Sequence, residues 1–235
     1  MAPDLASLFA ANLVVTIAAF LQASVGVGFA MIAVPLLLLL DPDLVPVPVL
    51  MAMAVLAATM LARERHAFDH KGALALIPGL VAGVIVAVVL LPLLPKTIDV
   101  VFGVLIIAAV VWSIWGPALF MTRKSLFIAG TIAGAMGTIS GLHGPALAIA
   151  YQRYPPPQAR ATIAGVFVMA STLSILALLF AGESGGTDLI AGLWLVPGTM
   201  IGFGATFIIP RPAPKLARNA MLSVALTSAL VLLAS

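Results

Sequence analysis

Apolar residues run along this chain in long stretches, separated by short turns that gather most of its charge. Residues 7–23 form a first apolar segment and 29–40 a second. The second, at ~1.5 Å per residue, is too short to cross a ~30 Å hydrocarbon core unaided. Between them Gln22-Ala-Ser24-Val-Gly26-Val27-Gly28 interrupts the helical pattern with small residues, so the two segments are expected to fold back on each other as a broken pair. The turn Asp41-Pro-Asp-Leu-Val-Pro46 follows, where proline forces the chain out of a helix. Spans are expected near 46–62, 72–94 and 98–119.

The plan then returns. A second broken pair covers 125–152, interrupted at Gly137-Thr-Ile-Ser140-Gly141-Leu-His143-Gly144-Pro145, and a polar turn, Arg153 to Arg160, leads to spans near 161–181, 187–209 and 214–234. Ser24 precedes Ser140 by 116 residues, as Gly28 precedes Gly144. A helix can break at bilayer depth only where its freed backbone groups face protein, water or a ligand. Paired breaks at matching positions of two halves therefore point to a transport site.

Charge tests the layout. If both broken pairs return to the side they start from, Arg63, Arg65, Lys71, Arg123, Lys124, Arg153, Arg160, Arg211, Lys215 and Arg218 share one side and Lys96 alone lies opposite. If each pair were a single crossing, the basic residues would split almost evenly, against the positive-inside rule. The returning pair is favoured, and it places both termini outside. One returning pair and three spans per half inverts the second half relative to the first. The expected fold is an all-α polytopic membrane protein of two inverted repeats, 1–122 and 123–235, each a broken returning helix pair plus three transmembrane helices.

Composition agrees and removes other classes. Hydrophobic residues make up 63% and charged residues 8% of 235 positions, with a mean hydropathy of +1.24, whereas soluble domains carry about 25% charged residues. The net charge of +3 reflects orientation in the bilayer. No basic run is dense enough to track phosphates, so nucleic acid is not an expected partner. Cysteine is absent, which excludes disulfides and thiolate-bound metals. No Asp or Glu is expected at midplane and no nucleophile, base and orienter assemble from these spans, so neither an enzyme nor a metal or cofactor is expected.

Few polar side chains lie within the expected spans. His143 is the ionisable one, and such a group is costly in a bilayer unless it faces a cavity or partner. It offers a proton-coupling site or a positive partner for an anion; the bland alternative is a neutral ring satisfied by a backbone carbonyl. Gly26, Gly28, Gly141 and Gly144 allow turns and expose N–H groups at the starts of the half-helices that follow, ends that suit an anionic ligand. They equally suit plain helix packing. Gln22, Ser24 and Ser140 either bind a ligand or cap the half-helices. The candidate substrate-binding set is Gln22, Ser24, Gly26, Val27, Gly28, Ser140, Gly141, His143 and Gly144. Arg153 and Arg160 read as orientation signals, and the loop from Arg63 to Lys71 as a solvated face.

These stretches resemble the TauE/SafE family, the sulfite exporters and four-toluene sulfonate uptake permeases. The resemblance rests on Gly26-x-Gly28 followed by Val34-Pro35-Leu-Leu, on Gly141-Leu-His143-Gly144-Pro145, and on the downstream Pro-x-x-Ala-Arg160-Ala-Thr162. It covers nearly the whole chain and implies transport of small sulfur-containing anions such as sulfite or organosulfonates, often coupled to protons. The resulting expectation is a secondary transporter of the bacterial inner membrane, working by alternating access with lipid and a small anion as partners; a homo-oligomer is compatible with it. A carrier or channel for another anion such as a carboxylate, and a membrane scaffold whose glycines only pack helices, stay open as alternatives.

Overall fold

The structure is a computed structural model that describes residues 5–93, 104, 106–108, 110, 111, 115, 122–210 and 212–234. Its helices are α1 (Leu5–Val25), α2 (Phe29–Leu40), α3 (Val47–Glu64), α4 (His70–Leu90), α5 (Arg123–Ser140), α6 (Gly144–Tyr151), α7 (Pro156–Phe180), α8 (Gly186–Ala205) and α9 (Pro214–Ala234). The fold is all-helical, and five of the described helical segments are long and apolar enough to cross a bilayer. The span expected over 98–119 falls largely outside the described residues, as do Lys96, Trp112 and Arg211.

Local chemistry sets the boundaries. Asp69 caps α4 by accepting from the Gly72 amide at 3.0 Å. Thr122 and Ser125 cap α5 reciprocally, and Asp188 accepts from Gly185 at 2.7 Å at the start of α8. Helix α7 begins at Pro156, five residues before the expected span. Prolines at its first positions lack only N–H groups that a helix leaves unpaired there, so the expected polar turn is in part the first turns of α7, and Arg160 lies inside a helix.

Contacts fix the helix directions. A Cβ placed on Gly79 or Gly83 of α4 would collide with the carbonyl oxygens of Phe127 and Thr131 on α5, in the same order along both helices, so α4 and α5 run parallel with their backbones touching. In the same way Gly198 and Gly202 of α8 meet the carbonyls of Asn12 and Thr16, so α8 runs parallel to α1. Helices α3 and α7 are antiparallel: Glu64 at the end of α3 pairs with Arg160 near the start of α7, while Leu178 packs with Val47 and Leu50 at the other end. Met51 lies against Gly192 of α8, and the Asp69 amide donates to the Thr162 hydroxyl of α7 at 3.0 Å. Thus α1, α3 and α8 point one way and α4, α5 and α7 the other. Arg63, Lys71, Arg123, Lys124 and Arg160 consequently share one end of the molecule, the basic end, with Glu183 and Asp188 at the opposite end.

One polar contact explains how α8 tolerates Pro197. The Asn12 carboxamide accepts from the Gly198 amide at 2.8 Å and donates to the Trp194 carbonyl at 3.0 Å. These are the two groups that an unbroken helix would pair with each other. A neighbouring side chain thus satisfies backbone groups at a proline, as the bilayer requires.

Candidate functional site

Both breaks are real interruptions, built in different ways. At the first, Gly26 and Gly28 have φ of 111° and 120°, a region L side chains rarely adopt. Gln22 is fully buried; its carbonyl oxygen accepts from the Phe29 amide at 2.8 Å and its amide group donates to Met53 Sδ at 3.1 Å. Ser24 donates to the Phe20 carbonyl at 2.7 Å. The polar side chains of this break therefore hold backbone, with Gln22 satisfying an N–H at the start of α2, and Val27 is partly buried between the two glycines.

At the second break Gly141 ends α5 in the left-handed conformation, φ 77°, and its amide donates to the Gly137 carbonyl at 2.8 Å. Ser140 back-bonds to the Met136 carbonyl at 2.7 Å, matching Ser24. His143 then precedes α6. Its ring covers Gly137 so closely that a Cβ there would overlap it, and it meets Phe167 of α7 edge-on at 6.2 Å between centroids. Gly144 has no such demand, since a Cβ there would meet only Phe167, at 3.8 Å.

The imidazole is fully buried, yet neither ring nitrogen makes a hydrogen bond of ordinary geometry. The Gly141 carbonyl lies near the ring without the geometry of a hydrogen bond. A buried polar group left unsatisfied costs about 1–3 kcal/mol, so the ring is held at a cost in a place where it also leads into the unpaired amides at the start of α6. Ser171 adds to this. Thr16, Ser24, Thr138, Ser140 and Thr199 all return their hydroxyls to the carbonyl four residues earlier, whereas the Ser171 hydroxyl is fully buried without a partner. It shares a face of α7 with Phe167 and Ser174, by the three- and four-residue spacing of a helix. Phe167 touches His143, and Ser174 lies 2.7 Å from the Thr138 hydroxyl near the end of α5. Sequence reading passed over Ser171; its spacing from Ser174 was the available signal.

The two breaks lie at different depths. A Cβ on Gly26 would fall 2.6 Å from Cγ of Arg160, whereas His143 meets Phe167, seven residues farther along α7 and so ~10 Å away. A Cβ on Gly141 would meet Val34 and Val49. Gln22, Ser24, Gly26, Val27 and Gly28 thus form one group near the basic end, and Ser140, Gly141, His143 and Gly144 another, deeper one. The stretch from Arg63 to Lys71 is the expected solvated face only in part: Arg65, His66, His70 and Lys71 are exposed, but its first two residues are not. Arg63, Glu64 and Arg160 are each only 15–17% exposed at their side chains, and Arg63 donates to the Ala23 carbonyl at 2.7 Å. Among the described residues no group of three or more His, Cys, Asp or Glu side chains is placed to hold a metal ion.

No curated protein and no solved structure matches the chain significantly. The family model described as Sulfite exporter TauE/SafE matches residues 11–232. That match takes in both breaks and all or most of each long helix among the described residues, and with it the chain belongs to the TauE/SafE sulfite exporter family of membrane transporters.

Proposed function

We propose that the protein is a secondary exporter of a small sulfur-containing anion, sulfite or an organosulfonate, and that the anion binds at the second break. The observation that carries this reading is His143, fully buried at the start of α6 with neither ring nitrogen in a hydrogen bond of ordinary geometry. A tetrahedral sulfur oxyanion presents several acceptors around one centre. The imidazole N–H, the Ser171 hydroxyl and the amides of Gly144 and Ala146 are donors of the kind it needs, and the last two open a helix whose dipole favours negative charge. Ser140 and Gly141 fix the turn that aims them. An anion beside the ring favours the imidazolium, so binding takes up a proton and His143 couples anion to proton.

Alternating access follows from two inverted repeats, 1–122 and 123–235. Three matched pairs support the inversion: α1 with α5, α3 with α7 and α4 with α8 run in opposite directions, and each first helix lies against the fourth helix of the other half. With the basic end facing the cytoplasm of a bacterial inner membrane, both termini lie outside. In this arrangement Gln22, Ser24, Gly26, Val27 and Gly28 form the station that the anion passes at the basic end.

The test is a thermal-shift screen of purified protein in detergent against sulfite, taurine, sulfoacetate and matched carboxylates. A ligand of the native state at a hundredfold excess over its Kd adds about 2.7 kcal/mol of stability. Sulfur oxyanions are expected to shift the transition selectively, and His143→Gln or Ser171→Ala to remove the shift. Selective shifts with carboxylates would replace the substrate class. No shift with any anion, together with no anion flux in liposomes, would sink the transporter reading in favour of a scaffold.

A further inference from the structure

The first break lies directly beneath an ion pair that the transport reading does not use. Arg160 forks onto Glu64, with Nε at 3.1 and 3.0 Å from the two carboxylate oxygens and a terminal nitrogen at 3.0 Å. The stem of Arg160 lies against Gly26, where a Cβ would fall 2.6 Å from Cγ, and Arg63 holds the Ala23 carbonyl at 2.7 Å. Three chain segments therefore meet at one point: the end of α1, the end of α3 and the start of α7.

We infer that the Glu64–Arg160 pair is the latch that closes the first break toward the basic end, and that opening on this side requires the pair to separate. This rests on the transport reading for its purpose but not for its geometry. The α3–α7 seam is apolar at its far end, where Leu178 packs between the helices. Apolar contacts tolerate sliding, because hydrocarbon surroundings are as favourable to them as protein. A forked, largely buried ion pair tolerates neither a change of distance nor of angle. The same fork fits an oxyanion as well as it fits a carboxylate, so an anion arriving at Gly26 competes with Glu64 for Arg160 and releases the latch as it enters.

The absence of cysteine allows a direct test. Ser24, 7% exposed beside the break, is replaced by cysteine in the full-length protein in lipid nanodiscs, and its rate of reaction with a polar maleimide is measured. Glu64→Gln and Arg160→Met, the latter keeping an apolar stem over Gly26, are each expected to raise the rate at least tenfold over the parent. Leu178→Ala loosens the same seam at the other end and is expected to leave the rate within twofold. A rate in Glu64→Gln within twofold of the parent overturns the latch. So does an equal rise in Leu178→Ala, which would mean that general loosening exposes the break. No anion enters the assay, so its outcome is independent of which substrate, if any, the second break binds.

Discussion

At the scale of single residues, the glycines of the breaks divide by what their surroundings demand. Gly144 reads in the sequence as a partner of Gly28, yet only Gly28 has a positive φ, and Met221 packs where its Cβ would go. Gly144→Ala is therefore expected to leave stability unchanged within about 1 kcal/mol and to retain anion binding, since a helical alanine is intrinsically favourable. Gly137→Ala should instead displace the imidazole that covers it and abolish binding, as read by calorimetric titration with sulfite. Binding to the parent should tighten as pH falls through the range in which histidine titrates, because the complex holds the extra proton. His143→Gln should bind weakly with no such dependence; a pH profile identical to the parent's would remove histidine from coupling. His143 was legible as a lone ionisable group in an apolar stretch. Ser171 was not, because a hydroxyl in an apolar helix is ordinary until its failure to back-bond is seen, and that is a property of three dimensions.

At the scale of helices, the sequence carried the layout well. The short second segment, 29–40, is α2 to the residue, and the last span, 214–234, is α9. A further repeat went unread: Leu76-Ile-Pro78-Gly79 with Gly83, and Leu195-Val-Pro197-Gly198 with Gly202. Both stretches put glycines against carbonyls of a parallel first helix, and that meaning emerges only when the partner helix is known. Gly83→Val should overpack the α4–α5 contact and cost ~1–3 kcal/mol or more. Asn12→Leu should leave the Gly198 amide and Trp194 carbonyl unpaired in α8 and cost ~1–2 kcal/mol. Both losses are measurable as lower denaturation midpoints in detergent, and Asn12→Leu at parental stability would mean α8 closes its own ladder over Pro197.

At the scale of the whole molecule, the positive-inside argument anticipated the gathering of Arg63, Lys71, Arg123, Lys124 and Arg160 at one end, because each break turns the chain back: α1 and α3 run the same way, and so do α5 and α7. It could not set the depths of the two breaks, since parity counts crossings and not distances. Single cysteines at His66 and Glu183, both exposed, should react with impermeant reagents from opposite faces of intact cells; labelling of both from one face would refute the layout. The crosswise packing of α1 on α8 and α4 on α5 also bears on biosynthesis. A ribosome that has released only the first four helices has made two surfaces, on α1 and α4, whose mates are not yet translated. Neither half of the chain is then expected to fold alone, and the nascent chain must wait in the membrane for its second half. Fragments 1–122 and 123–235 should each be degraded when expressed alone and accumulate when expressed together, the one assembling on the other as the halves of a split protein do.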